Sequence, residues 1–117
     1  MTLDHFREYC LSFKGTTEQL PFDENTLVFK VMGKMFALTN LLNFEFVNLK
    51  CNPEKVKEFR EDFMEVSPAY HMNKKHWNSV RVDGDLSDKK IEQWVTDSYN
   101  LVVANMPKKL KIELDKF

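Results

Sequence analysis

The feature that most constrains the fold is a pair of β-prone runs separated by only two residues. The runs LVFKVM and MFALT, at Leu27 to Met32 and Met35 to Thr39, flank Gly33-Lys34. Glycine at the first position of a two-residue turn is typical of a tight β-hairpin, because glycine adopts the positive φ angle that such turns need. The chain is therefore predicted to contain antiparallel strands joined at Gly33-Lys34.

Two further strands are predicted from apolar alternation. Phe44 to Cys51 (FEFVNLKC) alternates so that one face would be buried, and the short turn before it makes the first three strands a meander. Trp77 to Val82 (WNSVRV) is predicted to be another strand, ended by Asp83-Gly84. Leu20 to Phe22 is predicted to be a short extended piece.

Apolar residues that recur every three or four positions predict helices around these strands. The predicted helices cover about Thr2 to Phe13, Asn52 to Ser67 and Ser87 to Met106, and Lys108 to Phe117 either extends a helix or frays. The resulting order is helix, three strands, helix, one or two strands, helix. Because strands and helices do not alternate strictly, we expect an α+β domain in which helices cover an antiparallel sheet.

Length and composition indicate a single domain, residues 1–117. The chain is 43% hydrophobic and has ten phenylalanines, enough for one core. No run approaches the roughly 18 apolar residues of a membrane helix. Asp4, Arg7 and Glu8 occur where a secretory signal would be apolar. We therefore expect a cytoplasmic protein that does not contact membranes, with Cys10 and Cys51 as reduced, buried thiols.

Signatures of enzymes and metal sites are absent from the sequence. It contains no GxSxG, P-loop, dinucleotide-binding glycine pattern or HExxH. His71 and His76, five residues apart, are poorly spaced for two metal ligands on one helical face. Lys50 could lower the thiol pKa of Cys51, but adjacent strand residues face opposite sides, which favours a buried cysteine. We expect no catalysis, no metal and no cofactor.

The segment from Pro68 to Gly84 concentrates cationic and aromatic side chains and has no acid until its end. A net charge of −1 argues against a general affinity for nucleic acids, but Lys74, Lys75 and Arg81 have no acidic neighbour in this segment. They could bind phosphates while other side chains stack on bases, the candidates being Tyr70, His71, His76 and Trp77. The alternative is that the large aromatics pack in the core and the lysines belong to a solvated turn.

Two further basic groups lie outside this segment. Lys30 and Lys34 lie on or at the tip of the predicted hairpin, which could enter a groove as β-ribbon DNA readers do. A structural explanation is also sufficient, because lysines on an edge strand prevent strands of different molecules from pairing. Lys108, Lys109 and Lys111 form the second group.

Four segments of the chain occur together in a distinctive order and spacing. They are LVFKVMGKMFAL, NLKCNPEK, YHMNKKHWNSV and SYNLVVANMPKKL, at residues 27–38, 48–55, 70–80 and 98–110. With REYCLSFKG at 7–15, this set resembles the MmcQ/YjbR family of small bacterial proteins, almost from end to end. The resemblance implies a two-layer α+β domain in the order α-β-β-β-α-β-β-α, similar to secretion-chaperone-like folds.

The resemblance also implies DNA binding through a double-wing arrangement, and it brings no established reaction, cofactor or catalytic residue. Trp77 and Asn78 belong to the matching run, and two positions depart from the family pattern. Ala69 stands where relatives usually have glycine, and LLNFEF at Leu41 to Phe46 replaces a more polar turn. The predicted nucleic-acid-binding residues are Lys34, Lys50, His71, Asn73, Lys74, Lys75, His76 and Arg81.

Three functional hypotheses follow from these observations. The leading one is a non-enzymatic DNA-binding module that contacts the phosphate backbone through the basic and aromatic segment. The second is a protein-interaction or chaperone-like module, able to form a homodimer, whose contact surface would include Leu41, Leu42 and Phe44. The third is a pocket for a small anion, lined by His71, His76 and Lys50.

Overall fold

The computed structural model describes residues 1–69 and 72–117, in which helices cover one face of a six-stranded antiparallel sheet. In chain order the elements are α1 (Leu3–Leu11), β1 (Thr16–Gln19), β2 (Thr26–Val31), β3 (Lys34–Asn40), β4 (Phe46–Lys50), α2 (Val56–Asp62), β5 (Val66–Pro68), β6 (Trp77–Arg81), α3 (Asp88–Asn105) and α4 (Lys108–Leu114). The strands follow the spatial order β1-β2-β3-β4-β6-β5. This arrangement confirms the predicted α+β class and the meander formed by β2, β3 and β4.

The hydrophobic core lies between the helices and one face of the sheet. Phe29, Val47 and Val80 of that face are buried in one cluster with Phe6 of α1 and Val95 of α3. Side chains alternate along each strand, so the intervening residues point to the opposite face. We call this second face the open face, because only part of it is covered. On the covered part, Val28, Leu38 and Trp77 of the strands form a smaller buried cluster with Ala69, which follows β5. Met35 and Met72 pack against this cluster.

The predicted hairpin is present, but its turn is Met32-Gly33 rather than Gly33-Lys34. Met32 has a φ angle of 49° and Gly33 a φ angle of 82°, the pair of positive values typical of a type I′ turn. Lys34 is consequently the first residue of β3. The pairing of β2 with β3 shifts at a bulge that leaves Phe36 unpaired, so Phe36 and Ala37 both enter the core.

Several predicted boundaries are wrong. The chain pairs with β2 through Thr16–Gln19, before the extended piece expected at Leu20 to Phe22. The second helix is only Val56–Asp62, and the chain then forms the edge strand β5 where the end of that helix was expected. The tail forms α4. The predicted order α-β-β-β-α-β-β-α is therefore present with two additions, β1 before the meander and α4 at the end.

Helix α3 fixes the sheet to the helical layer. Ser87 caps it, as predicted, by accepting a hydrogen bond from the Lys90 amide at 3.1 Å. The fully buried hydroxyl of Ser98 donates to the carbonyl of Phe36 at 2.5 Å and accepts from the amide of Lys50 at 2.9 Å. This hydroxyl joins α3 to both β3 and β4. Among the described residues no helix, α3 included, is long and apolar enough to cross a membrane.

Candidate nucleic-acid interface

Three lysines line one cleft at the end of the sheet where β3 and β6 begin and β4 ends. Lys50 of β4 pairs with Trp77 of β6, and Lys34 opens β3, the other neighbour of β4. Lys30 of β2 pairs across the hairpin with Met35, the residue that follows Lys34. The cleft has a volume of about 570 Å³, and its other wall is the end of α3, with Val102, Asn105 and Met106. We call it the lysine cleft.

The lining of the lysine cleft is free of acidic residues. Neither Asp nor Glu lines it, and Lys30, Lys34 and Lys50 take part in none of the ion pairs formed within residues 1–69 and 72–117. Pro107 also contributes to the lining, and the basic start of α4 follows it directly at Lys108. Because charges of one sign in a concave, low-dielectric surface reinforce each other, the cleft is suited to an anion such as phosphate.

The turn before β6 carries Lys74 and Lys75 to the same end of the sheet. The Asn73 side chain accepts a hydrogen bond from the Lys75 amide at 2.9 Å, so this asparagine shapes the turn. The carbonyl of His76 accepts from the amide of Cys51 at 2.7 Å, which holds the turn against the end of β4. Both lysines are exposed and His76 is half-buried.

Arg60 of α2 fixes this turn from behind. Its Nε donates to the side-chain oxygen of Asn78 at 2.7 Å, and its Nη2 donates to the carbonyls of Lys74 at 2.6 Å and Trp77 at 3.2 Å. This role was not predicted from the sequence, because Arg60 is surrounded there by Glu58, Glu61 and Asp62. Asn78 could have indicated it, because a side-chain amide in a buried strand needs hydrogen-bond partners, and Arg60 is one of them.

Arg81 lies at the opposite end of β6 from the lysine cleft. Arg81 lies four residue steps, about 13 Å, along the strand from Trp77, and it faces Phe46 instead. Its guanidinium forms an ion pair with Asp83, at 2.5 Å from Nε to Oδ1. This hydrogen bond holds the pKa of the Asp83 carboxyl below its usual value. The expectation that Arg81 has no acidic neighbour is therefore wrong.

Trp77 is not available as a stacking surface. Only 7% of it is exposed, and it packs with Val28, Leu38 and Ala69 on the open face. The alternative in which Trp77 belongs to a core is confirmed, although Trp77 also contributes to the lining of the lysine cleft. Tyr70 and His71 lie outside the described residues, so the predictions for them stay predictions.

The two cysteines are free thiols, as expected. Cys10 is fully buried in the main core, as expected, but Cys51, predicted to be buried as well, is only partly buried because it directly follows the end of β4. Burial raises the pKa of both thiols, and for Cys51 it outweighs the opposing effects of the Asn52 amide, Lys55 and Arg60. Cys51 therefore lacks the lowered pKa of an activated nucleophile. Among the described residues no three His, Cys, Asp or Glu side chains could together hold a metal ion.

Exposed apolar side chains gather at the end of the sheet opposite the lysine cleft. Leu42 is 78% exposed and Phe22 is 64% exposed. The amide of Leu41 donates to the carbonyl of Asn25 at 2.7 Å, which joins the two loops that carry these residues. Phe44 was expected on this surface but is half-buried against Phe6. We call this region the apolar end, defined by Leu20, Phe22, Leu41, Leu42 and Phe46.

Comparison with known proteins identifies the family of the chain. The YjbR family model matches residues 11–101. The chain belongs to the YjbR family. YjbR of Escherichia coli strain K12 is 32% identical over 97% of this chain and 100% of its own length. YbdF of Escherichia coli O157:H7 is 39% identical over 76% of this chain and 74% of its own length. Both relatives are named as uncharacterised proteins.

Solved structures of similar chains have the same α+β fold. The crystal structure of protein DR2400 from Deinococcus radiodurans superposes with a TM-score of 0.89 at 36% identity, covering 97% of this chain and 88% of that one. The crystal structure of a protein from Pseudomonas syringae superposes with a TM-score of 0.73 at 29% identity, covering 86% of this chain and 98% of that one. The family resemblance drawn from the four sequence segments is thus confirmed. None of these names specifies an activity.

Proposed function

We propose that the protein is a non-enzymatic, cytoplasmic module that binds DNA through its phosphate backbone. The observation that supports this proposal best is the lysine cleft, where three lysines meet without an acidic residue in the lining. Lys74 and Lys75 extend the same basic surface along the neighbouring turn. Arg81 is left out of the interface, because it is paired with Asp83 at the other end of the sheet.

The proposed contacts favour duplex DNA over single strands. Phosphate contacts need exposed cations, whereas single-strand binding also needs aromatic faces on which bases stack. Trp77, the large aromatic residue that lines the cleft, is buried. Lysine contacts to phosphates carry no sequence information directly. We therefore expect weak, sequence-independent binding that decreases steeply as salt is added.

Charge reversal in the turn tests this proposal. Fluorescence anisotropy with a labelled duplex at low salt would compare wild-type protein with the Lys74→Glu/Lys75→Glu variant. The matched control is Lys89→Glu/Lys90→Glu, which changes the same charge in the first turn of α3, about 24 Å from the helix end that lines the cleft. We expect the turn variant to lose at least about tenfold in affinity and the control to retain it. Equal loss in both variants, or no binding by the wild type, would refute the proposal.

A protein-interaction module is the second candidate function, and the apolar end favours it. Exposed apolar side chains concentrated in one region mark many protein contact sites, and Leu42 and Phe22 are the most exposed of this group. Light scattering of the free protein tests the homodimer, with Leu42→Asp as the disrupting variant. We expect the variant to be monomeric if the apolar end is the contact, and a monomeric wild type at all concentrations would rule out the homodimer.

A further inference from the structure

A second cavity lies on the helix-covered side of the sheet, between α2 and α3. Its volume is about 260 Å³, roughly that of eight or nine water molecules in the liquid at about 30 Å³ each. Most of the wall is apolar and consists of Leu49, Phe59, Val66, Val80, Trp94 and Leu101, with the buried Asn78 as a polar member. The remaining lining residues are polar or partly exposed, and they are Lys50, Cys51, Asn52, Lys55 and Asp97; we call them the mouth. Binding sites for small molecules are usually lined by apolar and aromatic side chains together with a few polar groups, as this cavity is.

We propose that this cavity binds a small carboxylate with an aromatic body, the carboxylate at Lys55 and the ring against Phe59 and Trp94. The rings of Phe59 and Trp94 stack at 5.2 Å with an angle of 20° between their planes. Phe63 packs edge-on against Trp94 at 5.0 Å, which fixes the orientation of the stacked pair. An aromatic ligand that entered between Leu101 and Phe59 would extend an existing stack.

The charges around the mouth favour an anion over a cation. Lys55 is exposed and forms no ion pair with any residue in the described part of the chain. Arg60 does not line the cavity but donates to the side chain of Asn78, which does, and its hydrogen bonds go only to uncharged oxygens, so its positive charge is not neutralised there. Asp97 is the acidic residue of the described lining, and one of its oxygens already accepts from Gln93 at 2.8 Å.

Cys51 provides a direct reporter of this site. Cys51 is only partly buried and lines the cavity, whereas Cys10 is fully buried and serves as an internal control. Occupation of the cavity should therefore protect Cys51 from alkylation by N-ethylmaleimide without unfolding the protein. At ten times Kd, mass action predicts that alkylation slows about tenfold.

Three matched probes distinguish the proposed ligand class. These are 3-phenylpropionate, the corresponding alcohol 3-phenylpropanol and 3-phenylpropylamine, which share one apolar body and differ in charge. We expect the carboxylate to protect Cys51 and raise Tm at the lowest concentration, and the amine at the highest. Equal protection by all three, stronger protection by the amine, or no protection by the carboxylate up to its solubility limit would overturn the proposal.

Variants of the mouth and the wall complete the test. Lys55→Glu should weaken carboxylate binding at least about fivefold, and Lys57→Glu, the same charge change at an exposed residue two positions further along the chain, should leave it unchanged. Leu101→Trp places a ring in the cavity and should abolish protection in a protein that still unfolds cooperatively. Unchanged affinity in both Lys55→Glu and Leu101→Trp would overturn the proposal. These outcomes do not depend on whether DNA binds.

Discussion

At the scale of single residues, Arg60 determines where the lysines of the turn lie. Its guanidinium donates hydrogen bonds to two carbonyls of the turn and to the Asn78 side chain, and no carboxylate competes for it among these contacts. The planar group of arginine donates in several fixed directions at once, which lysine cannot reproduce. A structural residue of α2 therefore positions the exposed charges of Lys74 and Lys75.

Removing the Arg60 side chain should loosen that turn. Hydrogen bonds from charged donors contribute about 1.5–3 kcal/mol each, so we expect Arg60→Ala to lower the free energy of unfolding by at least about 2 kcal/mol. Arg60→Lys should recover only part of this loss. Urea denaturation measures the stability, and amide exchange at Trp77 reports the turn itself. Lys57→Ala is the exposed control, and a stability loss no greater than that of this control would contradict the prediction.

Two glycines with positive φ angles differ in what surrounds them. Gly15 has a φ angle of 70° and Gly33 one of 82°, so alanine is strained at both. A Cβ at Gly33 would meet nothing within 4 Å, whereas one at Gly15 would overlap Cδ1 of Leu114, a buried residue of α4. Comparing alanine substitutions at the two glycines therefore separates the energetic cost of backbone strain from that of steric overlap.

Alanine substitution should cost more at Gly15 than at Gly33. The left-handed conformation alone costs roughly 1–2 kcal/mol for an ordinary L-residue, and we expect this loss for Gly33→Ala. For Gly15→Ala we expect a further loss of about 1 kcal/mol or more, since Leu114 must shift within a close-packed core. Urea midpoints of the two variants give the comparison, and equal losses would show that Leu114 yields without cost.

At the scale of secondary structure, the elements with strong local patterns were predictable. The hairpin, β6 and the capped start of α3 follow from short-range apolar periodicity and turn chemistry. The error of one residue in the turn arose because Met32 itself adopts a positive φ angle, which is uncommon for such a side chain. The local sequence does not indicate that Met32 adopts this strained backbone conformation.

Two short strands, β1 and β5, depend on distant partners rather than on a local pattern. β1 is a short polar segment, and it becomes a strand because Thr16 to Gln19 pair with β2 at the sheet edge. β5 has three residues including a proline, and it pairs with β6, which begins nine residues after β5 ends. Neither has a hydrophobic period of its own, so pairing rather than propensity determines both strands.

Besides its apolar contacts, α3 is joined to the sheet by the hydroxyl group of Ser98. Ser98→Ala would leave the Lys50 amide and the Phe36 carbonyl without their present partner inside the protein. Because an unsatisfied buried polar group costs about 1–3 kcal/mol, we expect a loss of about 2 kcal/mol in the free energy of unfolding. Ser79→Ala on the open face is the control, with an expected change within about 0.5 kcal/mol. A similar small change for Ser98→Ala would contradict this prediction.

At the scale of the whole molecule, the sheet has two chemically different ends. The lysine cleft and the Lys74-Lys75 turn lie at one end, and the apolar end lies at the other. The sequence supplied the lysines but not their grouping, because the strand order β3-β4-β6 decides which chain segments meet. The length of β6 separates Arg81, at the end of this strand, from the lysines that precede its start.

The nearly neutral composition of the chain does not indicate that one end of the sheet is basic. The net charge of −1 arises from 17 basic and 18 acidic residues, yet the lining of the lysine cleft contains no acid. Local charge rather than net charge determines the attraction for a polyanion at short range, because salt screens charges beyond about 10 Å. A small acidic protein can therefore present one basic surface.

The salt dependence of DNA binding tests the central claim most directly. Each phosphate contact contributes a slope of about −0.9 to the logarithm of the binding constant against the logarithm of salt concentration. Lys34→Gln/Lys50→Gln should therefore make the slope less steep by about 2 relative to wild type, as measured by anisotropy with a duplex. Lys89→Gln/Lys90→Gln, which removes the same charge at the far end of α3, should leave the slope unchanged. Identical slopes for the two double variants would contradict the claim that the lysine cleft binds the phosphate backbone.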